Sequence, residues 1–221
     1  QELRFKFPAL EEGEEEKDVV VSLVVTDAGD GHEHDYVVWQ QPRLVKDGQA
    51  DILLRDVRNV ESDSESTAAA EWGLDPAMFG KHPDGEPIDA ASLCVRAPSV
   101  IAIRLPAHLT ADRDFLTTAV LEEETGREGS VQVDVVAGTP PSESRLFPSE
   151  VTVTYSKVTQ VFSEHRSVSI ARPILVGENS AARAALQSAM NEHRSLFPAA
   201  LCYTQIVPVD VLHTTTQFYR E

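Results

Sequence analysis

The densest group of potential ligands in this 221-residue chain is the run Asp27-Ala-Gly-Asp-Gly-His-Glu-His-Asp35. Calcium binds about six to eight oxygen atoms, and a turn with glycines can wrap carboxylates and backbone carbonyls around one ion. We therefore predict Asp27, Asp30 and Asp35 as calcium ligands, although their spacing does not match an EF-hand loop. The alternative is a turn in which aspartates and glycines only satisfy the backbone.

The same run carries two histidines, His32 and His34, that are two residues apart. In an extended segment both imidazoles face one side, an arrangement that copper and zinc sites use. A third ligand would have to come from elsewhere in the fold. The alternative is that both histidines are exposed turn residues without a metal.

Aromatic and polar residues of three segments are typical of a sugar-binding site. A pyranose ring has an apolar face that stacks on aromatic side chains and a polar rim that acids, amides and arginine bind. We predict Trp72, Tyr36 and Arg43 for these roles, with Trp72 as the exposed platform. The alternative for Trp72 is a side chain that only anchors its loop. Trp39 lies in an apolar run and is expected in the core.

His82, in the segment Phe79-Gly-Lys-His-Pro83, is a candidate axial ligand or edge contact for a haem bound elsewhere in a larger assembly. A histidine before proline in a turn is equally compatible with no ligand. The two cysteines, Cys94 and Cys202, form either one disulfide or two buried thiols. They are far apart in the chain and neither is followed by histidine, so they cannot attach a haem covalently.

The formal charge of −17, from 19 Lys plus Arg and 36 Asp plus Glu, excludes some partner classes. Such a chain repels phosphate backbones and anionic membrane surfaces, so nucleic acid is not expected as a partner. No window is apolar over the length of a membrane span. Gly-x-Ser-x-Gly, His-Glu-x-x-His and phosphate-binding glycine motifs are missing, which gives this segment no recognisable catalytic signature.

Short runs rich in β-branched residues, separated by glycine and proline turns, predict a mainly β fold. No helical crossover separates them, which favours a jelly-roll-like β-sandwich over a parallel sheet. The predicted strands are Val19–Val25, Tyr36–Trp39, Ile52–Leu54, Val100–Leu105, Phe115–Leu121, Val131–Val136, Val151–Tyr155 and Val168–Ile170.

Two further segments define the predicted domain organisation. Residues 60–90 are polar and turn-rich, which predicts a long loop from one edge of the sandwich. Asn179 or Ser180 can cap a helix that ends near Pro198, and its apolar positions follow helical spacing. We therefore predict a β-sandwich, carbohydrate-binding-like module over residues 1–176, and over residues 177–221 a helix that begins a following domain of a larger protein.

Several blocks resemble segments of the large multidomain c-type cytochrome proteins of planctomycete bacteria. The blocks are Phe197–Asp210, Phe218–Glu221, Asp35–Arg43, Ile52–Val57 and Ala91–Ser99. The resemblance implies a periplasmic or extracellular parent protein whose other domains or partner chains bind haem c and transfer electrons. Haem attachment in that family uses Cys-x-x-Cys-His, which this chain lacks, so the haem would lie outside this segment.

These observations lead to a functional hypothesis with two alternatives. The first is a non-catalytic, carbohydrate-binding-like module of a multidomain cytochrome, holding a sugar or glycan near a redox centre. In the second, the module lends His32, His34 or His82 to the active site of a haem- or metal-dependent sugar-oxidising enzyme. The third is a structural scaffold for haem domains.

Overall fold

The computed structural model describes residues 1–7, 18–29, 31–62, 72–140, 150–155, 165–170 and 172–196. The chain divides into two compact units, Gln1–Ala182 and Arg183–Glu221. The boundary predicted from sequence, near residue 177, lies a few residues before this division.

Eleven strands and three α-helices are defined in the described residues. The strands are β1 (Glu2–Lys6), β2 (Val19–Asp27), β3 (Tyr36–Val45), β4 (Ile52–Leu53), β5 (Leu93–Arg96), β6 (Ser99–Leu105), β7 (Asp114–Leu121), β8 (Ser130–Ala137), β9 (Glu150–Tyr155), β10 (His165–Ile170) and β11 (Ile174–Val176). The helices are α1 (Val57–Ser62), α2 (Ala107–Thr110) and α3 (Ala181–Ser195), with 3-10 turns at Leu54–Asp56 and Pro76–Met78.

The strands form two main antiparallel sheets. The first sheet has the order β1-β7-β3-β4 with β5 also paired to β3, and the second has the order β11-β8-β2-β6. Strands β9 and β10 form a separate two-stranded sheet. Alternate apolar residues of both main sheets meet in one core, which includes Leu23, Trp39, Ile103, Phe115 and Val133. The predicted mainly β fold is confirmed, and the two antiparallel sheets are consistent with a β-sandwich.

Each predicted strand run overlaps an observed strand, whereas β1, β5 and β11 were not predicted. These three are short, and the charged residues of β1 weaken its apolar signal. The segment predicted as a polar loop differs more from expectation. Leu74 and Phe79 from this segment are buried in the core, and α1 occupies its start. None of the helices in the described ranges is long and apolar enough to cross a membrane.

Strand β3 contains a β-bulge that shapes the outer face of the first sheet. Trp39 and Leu44 are both buried, but they are five residues apart, so a regular strand would place them on opposite faces. The register against β7 steps from Gln40↔Thr118 to Arg43↔Leu116, which inserts one extra residue into β3. The bulge therefore keeps both apolar residues in the core.

Candidate functional site

The turn between β2 and β3 uses its described carboxylates to bind the backbone. Oδ1 of Asp27 accepts a hydrogen bond from the Gly29 N–H at 2.8 Å, and Oδ1 of the buried Asp35 accepts one from the Ser130 N–H at 2.9 Å. Asp30 lies outside the described residues. Within the described ranges, no group of three or more His, Cys, Asp or Glu residues is placed to hold a metal ion. These contacts agree with the alternative in which the aspartates of this turn only satisfy the backbone. Calcium binding by this turn stays a prediction.

The β7–β8 loop packs directly on this turn through glycine. A Cβ atom on Gly129 would overlap the His34 carbonyl oxygen and lie 2.9 Å from Asp35 Oδ1. The Gly129 carbonyl also accepts a hydrogen bond from the Gly177 N–H at 3.2 Å. Three chain segments thus pack backbone against backbone at this end of the sandwich.

His32 and His34 are exposed beside each other on the outside of the turn. Together with Glu33, Arg96 and Glu128 they line a surface pocket of about 520 Å³. Arg96 donates a hydrogen bond from Nε to the His32 carbonyl at 3.0 Å, which ties the pocket wall to β5. The structure brings the two predicted metal ligands to one pocket.

His82 is buried, with 5% of its side chain exposed. Its ring packs on Tyr36 with a centroid distance of 5.0 Å, and Nδ1 accepts the Asp84 N–H at 3.2 Å. Nδ1 also lies 3.4 Å from Asp84 Oδ2, and Nε2 lies 3.2 Å from Thr125 Oγ1. Both ring nitrogens have polar neighbours within the chain, and the haem contact predicted for His82 stays a prediction.

Thr125, His82 and Asp84 lie in the order of a hydroxyl–imidazole–carboxylate triad, but the Thr125 proton points away from the imidazole. The Thr125 hydroxyl donates to Glu122 Oε2 at 2.8 Å, so its proton is directed at that carboxylate and not at His82. A general base must accept the nucleophile's proton. The network joins the 81–87 turn to the β7–β8 loop, and in this arrangement the Thr125 proton is bound by Glu122.

Two groups in this region have shifted pKa values. Burial acts to raise the pKa of Glu122, but hydrogen bonds from the Thr125 N–H, the Thr125 hydroxyl and the Glu124 N–H outweigh it and hold the pKa below its usual value. Burial, reinforced by the negative charges of Glu122 and Asp84, raises the pKa of the Cys94 thiol to about 12. Cys94 is a free buried thiol. Cys202 lies outside the described residues, so the alternative of two buried thiols stays a prediction.

The three residues predicted for sugar binding do not form one site. Tyr36 and Arg43 lie near opposite ends of β3, about 20 Å apart at the usual rise of a strand. Trp72 precedes the bridge between Gly73 and Arg104 of β6, in the other sheet. Its ring packs against the core, and the Arg104 guanidinium lies over the ring at 4.8 Å from its centroid. The ring is therefore not open for a sugar to stack on.

A polar depression surrounds Arg43 at the bulge, and we call it the Gln41 depression. Its volume is about 270 Å³, and its lining residues are Gln40, Gln41, Arg43, Asp89, Ser92 and Thr118. It opens where the edge of β3 is interrupted, because β5 pairs with β3 as far as Trp39 and β4 begins at Arg43. The depression therefore fills a gap between two short neighbouring strands.

Gln41 occupies a strained conformation at the centre of this gap. Its φ of 42° is in the left-handed region, which residues other than glycine, asparagine and aspartate rarely adopt. Ser92 Oγ accepts the Gln41 N–H at 3.2 Å, and the Gln41 carbonyl accepts Arg43 at 3.1 Å. Gln40 and Gln41 are consequently both exposed, although neighbouring residues in a regular strand face opposite sides.

The hydrogen-bond partners of the depression are held by a second layer of contacts. Ser92 Oγ donates to Asp89 Oδ2 at 2.7 Å, and the same carboxylate oxygen accepts the Ala91 N–H at 3.2 Å. Arg43 Nε donates to Asp51 at 3.1 Å. These contacts hold Asp89, Ser92 and Arg43 in place before any ligand arrives.

Sequence reasoning found Arg43 but missed the rest of the depression. The sequence does contain a signal for it. Trp39 and Leu44 are both apolar but five residues apart, so placing both in the core requires a bulge at Gln40-Gln41-Pro42. Comparison with protein family models, curated protein sequences and solved structures finds no match to this chain.

Proposed function

We propose that this chain is a non-catalytic recognition module that binds a sugar at the Gln41 depression. The observation that carries the proposal is the lining itself: two amides, a guanidinium, a carboxylate and two hydroxyls converge on one small depression. This mixture of donors and acceptors complements the hydroxyl groups on the rim of a sugar ring, each of which both donates and accepts.

The strain at Gln41 supports the same proposal. A left-handed conformation costs about 1 to 2 kcal/mol for a residue with a side chain. The core requires an extra residue in β3, but a glycine would satisfy that requirement without the strain. Glutamine adds a second amide to the depression, and we attribute the retained strain to a ligand that this amide binds.

The wider role of the module is part of the proposal. The blocks that resemble planctomycete multidomain c-type cytochromes support a parent protein that acts outside the cytoplasm. In that parent, other domains or partner chains would carry haem c and transfer electrons. The module would hold a sugar or glycan close to them.

The test is calorimetric titration of the 221-residue chain with neutral monosaccharides and their short oligomers. We expect dissociation constants of roughly millimolar to micromolar, because a shallow polar site must displace bound water. Gln40→Ala and Gln41→Ala should each weaken binding about tenfold through a lost hydrogen bond.

Two variants serve as controls for this titration. Gln187→Ala removes the same side chain from the exposed face of α3 and should leave binding unchanged. Trp72→Ala tests the stacking site predicted from sequence. Loss of binding in Trp72→Ala with full binding in Gln40→Ala would place the site at Trp72, and absence of binding by every sugar would refute the proposal.

A second candidate function follows from the pocket beside the turn. His32 and His34 are exposed and share that pocket with Glu33 and Glu128, so they are accessible to a metal ion completed by another domain. In this role the module would contribute to a metal-dependent sugar-oxidising site. Metal analysis of the intact parent protein, compared with a His32→Ala/His34→Ala variant, tests it; equal metal content in both would exclude it.

A further inference from the structure

A second basin adjoins the Gln41 depression on the outer face of the first sheet, and we call it the Lys46 basin. Its volume is about 350 Å³, and its charged lining includes Arg4, Arg43, Lys46, Asp47, Asp51, Asp112 and Asp114. Arg43 lines both the basin and the depression. The two are therefore neighbours along one face, separated by a single side chain.

The strand register shows the direction of this combined groove. Gln40 lies opposite Thr118, Arg43 opposite Leu116 and Val45 opposite Asp114, so the face runs along β7 from Thr118 to Asp114. These four steps span about 13 Å at the rise of an antiparallel strand. The groove is thus longer than one sugar ring and lies along the strands.

Backbone strain marks both ends of the groove. In the described ranges, Gln41 and Asp112 are the two residues other than glycine with positive φ, at 42° and 55°. Gln41 lines the depression and Asp112 lines the basin. Left-handed aspartate is less unusual than left-handed glutamine, but both conformations place polar side chains on the same face.

The charges of the basin indicate a neutral ligand. Each cation is already paired with an aspartate: Arg4 with Asp114 at 3.1 Å, Arg43 with Asp51 at 3.1 Å, and Lys46 with Asp112 at 3.4 Å. Asp47 adds a fourth carboxylate against three cations, and the whole chain carries a charge of −17. An anionic sugar would meet net repulsion, whereas hydroxyl groups can bond to both members of a pair.

Resting on the proposed sugar-binding function, we infer that the ligand is a neutral linear oligosaccharide. One sugar unit lies in the Gln41 depression and the next units lie along the Lys46 basin. Arg43 contacts both parts of the ligand. Contacts with the Lys46 basin increase the affinity because they form within a ligand that is already bound at the Gln41 depression.

The experiment compares the monomer, dimer and tetramer of glucose, xylose and mannose with those of galacturonic acid by calorimetric titration. We expect the tetramer of a bound neutral sugar to bind at least about tenfold more tightly than its monomer, since one further hydrogen bond or more is added. The galacturonic acid tetramer should bind at least about tenfold more weakly than the neutral tetramer.

A basin variant locates the added affinity. Lys46→Ala/Asp47→Ala changes one partly exposed and one exposed side chain outside the Gln41 depression and should return the tetramer close to the affinity of the monomer, without changing monomer binding. Equal affinity for monomer and tetramer, or a variant that binds the tetramer as well as the parent chain, would overturn the extended groove. Tight binding of the galacturonic acid tetramer would overturn the neutral ligand.

Failure of this inference is distinguishable from failure of the proposed function. If Gln40→Ala weakens monomer binding but longer oligomers bind no more tightly than the monomer, the depression is a sugar site and the extended groove is refuted. Lack of binding by every monomer and oligomer removes both.

Discussion

Two regions of the molecule carry polar residues at strand β3: the turn that precedes it and the bulge within it. The polar side chains of the two regions have opposite roles. In the turn, Asp27 and Asp35 bind backbone N–H groups of the protein itself. At the bulge, Gln40 and Gln41 extend into solvent above a gap in the sheet. In this protein the densest group of ligand-type residues therefore satisfies backbone N–H groups. The open depression lies instead where the pairing of β3 with its neighbours stops.

The largest effect is expected where the turn meets the β7–β8 loop. In Gly129→Ala, the new methyl group would overlap the His34 carbonyl oxygen, next to the hydrogen bond between Asp35 and the Ser130 N–H. We expect a loss of about 3 kcal/mol in the free energy of unfolding, measured by chemical denaturation. Gly48→Ala is the control, because open space surrounds its Cβ and only its φ of 75° adds a cost of about 1 kcal/mol. Equal losses in both variants would contradict this packing.

The next effect separates a structural carboxylate from a metal ligand. Asp35→Ala removes a buried acceptor and leaves the Ser130 N–H unsatisfied, so we expect a loss of about 2 kcal/mol. Asp35→Asn keeps an oxygen at the same position and should lose less. Both variants and the parent chain are unfolded with added calcium and with excess chelator. Stabilisation of the parent chain by calcium, absent in Asp35→Ala, would confirm the metal site predicted from sequence.

The sequence was sufficient for the features that depend on local patterns. The β-branched run Val19–Val25 and the alternation in Val131–Val136 correctly predicted β2 and β8, and the apolar surroundings of Trp39 correctly placed it in the core. The Gln41 depression could not be predicted in this way. It depends on which strands flank β3 and where they end, and these pairings join residues far apart in the chain. The burial of His82 depends likewise on Thr125 and Tyr36, which no local pattern connects to it.

A smaller effect of opposite sign tests the strain at the bulge. Gln41→Gly should increase the free energy of unfolding by about 1 kcal/mol, since glycine adopts the left-handed region without steric cost. The same change should weaken sugar binding, because it removes an amide from the depression. Gln41→Asn, which tolerates this conformation and keeps an amide, should retain more of the affinity. Loss of stability in Gln41→Gly would show that the glutamine side chain serves the fold rather than a ligand.

The smallest effect concerns Glu122, whose hydrogen bonds hold the β7–β8 loop beneath the turn. Its pKa is lower in the folded protein than its usual value of 4.5, so the folded state disfavours protonation relative to the unfolded chain. The resulting stabilisation is complete above that usual value and is lost as the pH falls through the lower, folded value. Because Glu122 is partly exposed, solvent screening keeps this contribution small. Glu122→Gln removes the charge while keeping an acceptor, and urea unfolding at a series of pH values from about 7 to about 3 compares it with the parent chain. We expect the parent chain to be the more stable near neutral pH and its advantage to disappear in acid. An advantage that is constant over this range would mean that the loop is held by packing at Gly129 and not by the carboxylate.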